Sequence, residues 1–265
     1  MDASDTATGG GAPDLDLGFT LGLDLPFEET VAWAGEAGFD FVELLLDGPY
    51  ARERIAGDAP AMRETLADAG VDVAVHLPFA IDPGSPFTPV REGVVAEFEA
   101  GMDLAADLGA ELVVFHPSSD AWELGWTEGE CREFVHAALD ALVPAAHGRG
   151  LTPCLENIVS TYYDATAFPE LLERYPDASM TFDTSHALLA GLSEAEMATF
   201  CREHAGRIDH LHVVARPGVD VRHRDDVDVA GDDVRPLDPV DFRDLHFESV
   251  RLARVRFDHD VCFDH

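Results

Sequence analysis

Short apolar runs alternate with longer segments of helical periodicity along most of the chain. The runs are nearly continuous in apolar residues, which is typical of parallel strands buried on both faces. The intervening segments repeat apolar residues at helical spacing. The runs predict seven strands, at 15–23, 39–46, 71–79, 110–116, 151–158, 179–183 and 208–214. The segments predict six helices, at 27–37, 59–69, 90–108, 128–148, 165–174 and 194–205.

Capping residues support the ends of these helices. Gly38 and Gly70 directly follow two of the periodic segments, where glycine is favoured because it adopts the left-handed conformation without strain. Thr127 is a good N-cap for the helix that follows it. Ser193 is followed three residues later by Glu196, which is the spacing of a capping box.

The regular alternation of strands and helices indicates an α/β protein with a parallel sheet, either a closed barrel or a doubly wound sheet. No G-x-G-x-x-G motif follows the first strand, which counts against a dinucleotide-binding fold. The length of 265 residues is ordinary for one barrel. We therefore predict a single (β/α)8 TIM barrel over residues 14–265.

The composition changes after Ala215. Residues 216–265 hold 8 of the 17 arginines but only one glutamate, Glu248, whereas the first 215 residues hold 20 glutamates. The eighth strand must lie in this segment, but no clear helix accompanies it. We therefore describe residues 216–265 as a divergent, atypical end of the barrel. A natural divergent tail and a coding sequence read in a shifted frame both explain the change, and both remain open.

The charge of the chain is extreme. It has 52 acidic and 17 basic residues, a net charge of −35, and every basic residue is arginine. This composition is similar to that of halophilic proteins from organisms that accumulate salt. An acidic mesophilic protein is the alternative, which the absence of lysine disfavours. The charge also opposes general binding to nucleic acid or to an anionic membrane.

Several features predict a cytoplasmic protein. No apolar run approaches the length of a membrane-spanning helix. Residues 1–13 are small, polar and rich in glycine, so we expect a disordered tail and not a signal peptide. The cysteines are widely spaced, which predicts small buried thiols instead of a zinc knuckle or a disulfide framework; they are Cys131, Cys154, Cys201 and Cys262.

Residues of metal-ligand type lie at or just beyond the ends of five successive strands. In a parallel barrel these ends face the active site. The residues are His76, His116, Glu156, Asp183, His186 and His212. Each alone has a structural explanation, such as a hydrogen-bonded histidine or, for Asp183, a helix N-cap. Together they predict a site for a divalent metal such as Mn, Zn or Mg.

The remaining histidines are interpreted as structural. We expect His210 to pack on the outer face of its strand, opposite His212. His136, His147 and His204 fall within predicted helices, where we expect them to face solvent.

The motifs Leu-Glu-Asn, Phe-Asp-Thr-Ser-His and His-Leu-His occur in this order. They resemble the xylose-isomerase-like TIM barrel superfamily, and the resemblance covers about residues 15–215. The superfamily includes sugar isomerases and epimerases, inosose dehydratases and the second family of apurinic/apyrimidinic endonucleases. The Asp-Thr-Ser-His element is its most specific part.

The resemblance implies roles for particular residues. The core metal ligands would be Glu156, Asp183 and His212. The positions that recruit further ions in the endonuclease branch would be His76, His116 and His186. Asp220 and His223 resemble the Asp-x-His pair of that branch, with one residue too many between them. The glutamate expected on strand eight has only one counterpart, Glu248.

The first functional hypothesis is a metal-dependent isomerase or epimerase that acts on a small sugar or sugar phosphate through an enediolate. Glu156 would be both ligand and catalytic base, and Glu248 its catalytic partner. Glu43, near the end of strand two, would orient a substrate hydroxyl. Trp122 and His186 would also contact the substrate, and a homo-oligomer is possible.

The second hypothesis is metal-dependent phosphodiester hydrolysis at abasic DNA. The histidine-rich ligand set favours this reaction, whereas the shortage of basic residues opposes it. An inactive metal-binding barrel is a third interpretation. The fold alone does not choose among these, because one barrel architecture hosts many chemistries.

We predict that stability increases with salt into the molar range. Mutual repulsion among 52 acidic side chains destabilises the folded chain, and molar salt shortens the screening length to about 3 Å. The melting temperature, measured between low and molar potassium chloride, should therefore rise. A flat or falling curve would contradict the halophilic interpretation.

Overall fold

The structure is a computed structural model that describes residues 14–159, 162–214 and 250–256. Eight strands are present: β1 Asp14–Thr20, β2 Phe41–Leu45, β3 Asp72–His76, β4 Leu112–Phe115, β5 Thr152–Glu156, β6 Ser179–Asp183, β7 Ile208–Val214 and β8 Val250–Arg256. The helices are α1 Phe27–Ala37, α2 Arg52–Ile55, α3 Ala59–Ala69, α4 Thr88–Leu108, α5 Glu128–His147, α6 Phe168–Arg174, α7 Thr184–Leu189 and α8 Glu194–Glu203.

All seven predicted strands and six predicted helices are confirmed, and the short helices α2 and α7 are additional. The predicted N-terminal tail and Glu248 lie outside the described residues.

The strands form a closed barrel in chain order, which confirms the predicted α/β barrel. Strands β1 to β7 are parallel to their neighbours in the chain. Strand β8 runs antiparallel between β7 and β1, with Val250 opposite Val214 and Arg256 opposite Asp14. A regular TIM barrel has eight parallel strands, so the atypical end of the chain closes the sheet in the reverse direction. Its pairing removes the open edges that β1 and β7 would otherwise present.

The predicted caps are confirmed. Gly38 and Gly70 end α1 and α3 with φ of 79° and 66°. Thr127 starts α5 and Ser193 starts α8, each in a reciprocal capping box with the glutamate three residues on. These helices therefore begin and end at positions dictated by local chemistry.

The apolar core has two parts. The larger part lies between the strands and the outer helices and includes Val42, Leu44 and Phe98. The smaller part, which we call the inner plug, fills the barrel itself; it consists of Phe41, Ala74, Leu112, Val114 and Cys154. Because side chains alternate along a strand, neighbours such as Phe41 and Val42 belong to different parts. The inner plug is the floor on which the functional site rests.

The thiols agree with the sequence interpretation. Cys131 and Cys154 are buried, Cys201 is partly buried and none of these three forms a disulfide, while Cys262 lies outside the described residues. Among the helices that the structure describes, we find none with both the length and the apolar character needed to cross a membrane.

Two helical glycines should respond in opposite ways to alanine. A Cβ at Gly35 in α1 would lie 2.5 Å from the backbone oxygen of Ala69, whereas a Cβ at Gly93 in α4 meets nothing within 4 Å. We expect Gly35→Ala to lower the free energy of unfolding by about 1–3 kcal/mol through overpacking. Gly93→Ala should raise it by about 0.5–1 kcal/mol through helix propensity. Urea unfolding in molar salt measures both, and stabilisation by both substitutions would contradict the tight contact between α1 and α3.

Candidate metal centre

A polar layer lies directly above the inner plug. On each of β2, β3, β4 and β5, one residue of the inner plug is followed two positions later by a polar residue. Side chains two positions apart lie on the same face of a strand, so the two side chains share its inner face. The pairs are Phe41 and Glu43, Ala74 and His76, Val114 and His116, and Cys154 and Glu156. All four polar residues are buried. The strand period therefore gathers ionisable side chains at one level of the barrel.

Glu156 is the centre of this layer. Its side chain is 3 % exposed. Its Oε2 lies 3.2 Å from Nε2 of His76 and 3.2 Å from Nε2 of His116, and its Oε1 lies 3.0 Å from Nδ1 of His212. Burial by itself would raise the pKa of Glu156, but the charges of His212 and His116 and their hydrogen bonds outweigh it and hold the pKa well below its usual range. Glu156 is therefore a carboxylate at neutral pH.

His76 is oriented from behind by the backbone. Its Nδ1 lies 2.6 Å from the carbonyl oxygen of Leu77, which can only accept a hydrogen bond, so Nδ1 carries a hydrogen. In the neutral ring, Nε2 then presents a lone pair to Oε2 of Glu156. Two lone pairs at this distance repel unless a proton or a metal ion lies between them. This arrangement is the one expected for a ligating histidine with an outer hydrogen bond.

His116 completes the first group. Burial lowers its pKa, Glu156 raises it, and the nearby His76 and His186 lower it further, so that the net shift is downward. Its ring lies edge to face with the ring of Phe79 at 4.8 Å and that of His76 at 4.9 Å. The low pKa favours the neutral imidazole that a metal ligand requires.

His212 lies between carboxylates on both sides. Its Nδ1 is 3.0 Å from Glu156 and 3.7 Å from Oδ2 of Asp183, and its Nε2 is 3.2 Å from Oε2 of Glu43. Burial would lower the pKa of His212, but the charges of Glu156 and Glu43, the hydrogen bond to Glu156 and the nearby carboxylate of Asp183 raise it well above 6.5. Without metal, this ring is an imidazolium at neutral pH.

Asp183 is the N-cap of α7, which is one of the two roles considered from the sequence, and its role as a metal ligand stays a prediction. Its Oδ1 accepts a hydrogen bond from the backbone N–H of His186 at 2.7 Å and caps α7, while its Oδ2 faces His212. The side chain of Asn157, wholly buried, holds the backbone of Asp183 on both sides. The Asp183 N–H donates to Oδ1 of Asn157 at 2.8 Å, and Nδ2 of Asn157 donates to the Asp183 carbonyl at 3.0 Å. No role was predicted for Asn157 from the sequence, although it directly follows Glu156 in the Leu-Glu-Asn motif.

The expectation for His210 is wrong. The residue is fully buried inside the barrel, and its Nε2 lies 3.1 Å from Oε2 of Glu43. Residues 210 and 212 are two positions apart, so a regular strand places them on the same face. Counting this period along β7 would have found His210 from the sequence.

Glu43 is buried among polar partners. Its carboxylate is 2 % exposed and meets Thr20, His210 and His212. Burial would raise its pKa, but the charge of His212 and hydrogen bonds to both histidines hold the pKa far below its usual range. The contact of Glu43 with a substrate hydroxyl stays a prediction.

Other predicted site residues have different outcomes. His186 is half-buried and is not part of any of the three ligand groups described below; its Nδ1 is buried without a hydrogen-bond partner among the described residues. Trp122 is exposed beside the barrel mouth. The substrate and metal roles of both residues stay predictions. Glu248, Asp220 and His223 lie outside the described residues.

The helical histidines divide into three cases. His136 is buried, contrary to expectation, because α5 presents it to Tyr163, whose Oη lies 2.6 Å from Nε2 of His136. His147 is exposed as expected, and His204 is half-buried.

Three overlapping groups could hold a divalent ion. In each, one ligand atom per residue lies within 4.8 Å of the others; the groups are His76, His116 and Glu156, then Glu156, Asp183 and His212, then Glu43, His210 and His212. Mixed imidazole and carboxylate donors suit Zn²⁺ and Mn²⁺. Glu156 belongs to the first two groups and has one oxygen turned to each. The residues therefore fit one ion or a pair bridged by Glu156.

Comparison with known proteins shows the family of the chain. The chain matches the family model for the xylose isomerase-like TIM barrel over residues 31–246, and it belongs to this family. Probable endonuclease 4 of Mycobacterium ulcerans is 28 % identical over 200 residues, which cover 72 % of this chain and 75 % of that protein. An uncharacterized protein of Methanocaldococcus jannaschii is 28 % identical over 148 residues, covering 54 % of this chain. The chain spans about half the length of that relative, 52 %.

Solved structures of sugar epimerases share the fold. The 3-keto-D-glucoside 4-epimerase of E. coli superposes with a TM-score of 0.63 at 14 % identity, over 76 % of this chain and 80 % of that one. A D-tagatose 3-epimerase-like protein gives a TM-score of 0.62 at 22 % identity, over 77 % of each chain. At these identities the likeness concerns the barrel architecture.

We expect metal binding to strengthen as pH rises through neutrality. The pKa of His212 is raised, so at neutral pH its imidazolium must lose a proton before Nδ1 can bind metal. Each proton displaced makes the apparent affinity for Zn²⁺ rise about tenfold per pH unit while His212 remains protonated. Calorimetry in two buffers of different ionisation enthalpy measures the proton release.

Asp183→Ala provides the control, because it removes a ligand from the second group while leaving the first group intact. Elemental analysis after dialysis should show less bound metal in this variant than in the native protein. Equal, near-zero metal content in both proteins would eliminate the proposed centre.

Proposed function

We propose that the protein is a divalent-metal-dependent isomerase or epimerase that acts on a small, uncharged sugar through an enediolate. The family membership and the gathered ligand residues support metal-dependent enzyme chemistry. The single observation that selects this reaction over phosphodiester hydrolysis is the charge of the barrel mouth.

The described loops that follow the strands at the mouth are acidic. They span residues 21–26, 46–51, 77–87, 116–127, 157–159, 162–167 and 190–193, and within these ranges they contain no arginine. Their charged residues are Asp24, Asp47, Asp82, Asp120, Glu123 and Asp164. Phosphate recognition draws on arginine, lysine or oriented N–H groups. The described part of the mouth therefore favours a neutral polyol over DNA and over a sugar phosphate.

A small cavity lies between the loops that follow β4 and β5. Its volume is about 460 Å³, and it is lined by loops that continue from His116 and Glu156, including Ser118, Asp120, Trp122, Ile158 and Tyr162. Its hydroxyl, carboxylate and aromatic groups are suited to the polar edges and apolar faces of a sugar ring. The half-exposed ring of Phe79 stands against His116 and would limit the access of water to the centre.

Glu156 is the residue best placed to move the proton. A bound divalent ion would hold adjacent substrate oxygens and acidify the C–H bond between them. Glu156 stays ionised because His212 and His116 stabilise its charge. In an isomerisation, a carboxylate oxygen of Glu156 accepts the proton from one carbon and returns it to the neighbouring carbon on the same face; in an epimerisation, a second acid on the opposite face must deliver the new proton to the same carbon. Glu248 remains the candidate partner for this transfer.

Hydrolysis at abasic DNA is the second candidate. It is favoured by the group of His76, His116 and Glu156, because a second ion there would create the paired-metal arrangement used to cleave phosphodiesters. The similarity to probable endonuclease 4 supports the same reaction. The acidic mouth opposes it, since DNA-binding surfaces are usually basic.

We predict that Glu156→Gln reduces sugar turnover by about 10²–10⁴-fold, because a neutral amide cannot accept the proton. The measurement uses Mn²⁺-loaded protein, a panel of aldoses and ketoses, and NMR detection of solvent deuterium entering the substrate. Glu64→Gln, on the exposed face of α3 and outside the mouth loops, is the matched control and should retain turnover.

The same proteins should be assayed on DNA that contains an abasic site. Incision of this DNA without deuterium exchange into any sugar would overturn the isomerase proposal and favour the hydrolase. Full sugar turnover by Glu156→Gln would remove Glu156 from the proton transfer.

A further inference from the structure

Glu43 is held in a closed hydrogen-bond network beneath the metal centre. Its Oε1 accepts a hydrogen bond from Oγ1 of Thr20 at 3.3 Å. Its Oε2 lies 3.1 Å from Nε2 of His210 and 3.2 Å from Nε2 of His212. The strands place these groups side by side, because Thr20 is opposite Glu43 in the β1–β2 register. A buried carboxylate at this depth requires such donors.

The position of Glu43 determines which nitrogen of His212 keeps its hydrogen when the imidazolium loses one proton to bind metal. An ionised carboxylate can only accept, so Nε2 of His212 must donate to it. The other nitrogen, Nδ1, faces Glu156 and Asp183. A neutral imidazole has one N–H, and a hydrogen on Nε2 leaves the lone pair of Nδ1 directed at the group where metal would bind.

We propose that Glu43 is a positioning residue for the metal centre, which fixes His212 in the Nε2–H tautomer with Nδ1 turned toward Glu156 and Asp183. His210 and Thr20 in turn hold the Glu43 carboxylate in place. This inference rests on the metal centre of the proposed function and does not depend on its sugar substrate. Outer carboxylates of this kind typically change metal affinity by about 10–100-fold.

The alternative is that Glu43, His210 and His212 bind a separate ion. That arrangement requires Nε2 of His212 to lose its hydrogen while Nδ1 serves the other group, which would make the ring an imidazolate. The same buried contacts are satisfied without this cost when Glu43 accepts hydrogen bonds from both rings. We therefore assign the group of Glu43 and His210 a supporting role.

The test compares Zn²⁺ binding by the native protein, Glu43→Gln and Glu43→Leu. Glutamine keeps the shape and an oxygen but loses the charge, whereas leucine removes the acceptor. We expect the Zn²⁺ affinity, measured by competition with a chelator, to fall about tenfold for Glu43→Gln and about 100-fold for Glu43→Leu. Thr20→Val, which removes only the hydroxyl that supports Glu43, should have a smaller effect in the same direction.

A spectroscopic readout separates positioning from a general structural effect. In ¹⁵N-histidine NMR of the Zn²⁺-loaded native protein, His212 should show a protonated Nε2, and in the variants this signal should weaken or exchange faster. Unchanged Zn²⁺ affinity in Glu43→Gln would overturn the proposal. Loss of exactly one bound ion in Glu43→Gln, with the affinity of the remaining ions unchanged, would also overturn it and identify Glu43 as a ligand.

Sugar turnover is not part of this test, so the two proposals can fail separately. A protein that turns over no sugar but loses Zn²⁺ affinity on substitution of Glu43 would support the positioning role alone. Should Glu43→Leu fail to fold, Glu43→Gln and Thr20→Val still decide the outcome.

Discussion

The structure of the centre depends on the cost of burying Glu156. A carboxylate withdrawn from water inside a barrel is strongly destabilising unless positive charge and hydrogen-bond donors surround it. His76, His116 and His212 meet its two oxygens at 3.0–3.2 Å. A metal ion held between these groups would replace the same contacts, because it would neutralise the carboxylate more completely than the shared protons do. Stability and metal binding therefore draw on one set of residues.

The barrel separates packing from chemistry along its axis. The inner plug fills the lower interior with apolar side chains, and the ionisable residues begin one strand period above it. Glu43 and His210 lie at the boundary, where the ring of His210 packs 5.6 Å from that of Phe41 while its Nε2 faces the Glu43 carboxylate. This layer can hold polar groups because each one is paired with another, and the apolar floor keeps the network out of contact with solvent from below.

The charge of the chain is compatible with a cation site and unfavourable to polyanions. A net charge of −35 creates a negative potential that raises the local concentration of divalent cations and repels nucleic acid. At high ionic strength the surface part of this potential is screened, whereas contacts within the buried centre are screened much less. A metal ion at the candidate centre would therefore be held by contacts that salt weakens little.

The sequence by itself determined the elements and the level of the site. Apolar runs, helical periodicity and caps are local, so β1–β7, the longer helices and the position at the strand ends of the candidate ligands His76, His116, Glu156, Asp183 and His212 followed from the order of residues. The tertiary structure decided what depends on contacts between distant segments: the antiparallel pairing of β8, the approach of Asp183 to His212, the hold of Asn157 on the backbone of Asp183, and the burial of Glu43. The strand period was sufficient to place His210 on the inner face of β7, but it could not identify the partner of His210. Glu43 lies 167 residues away in the chain, and only closure of the barrel brings the two together.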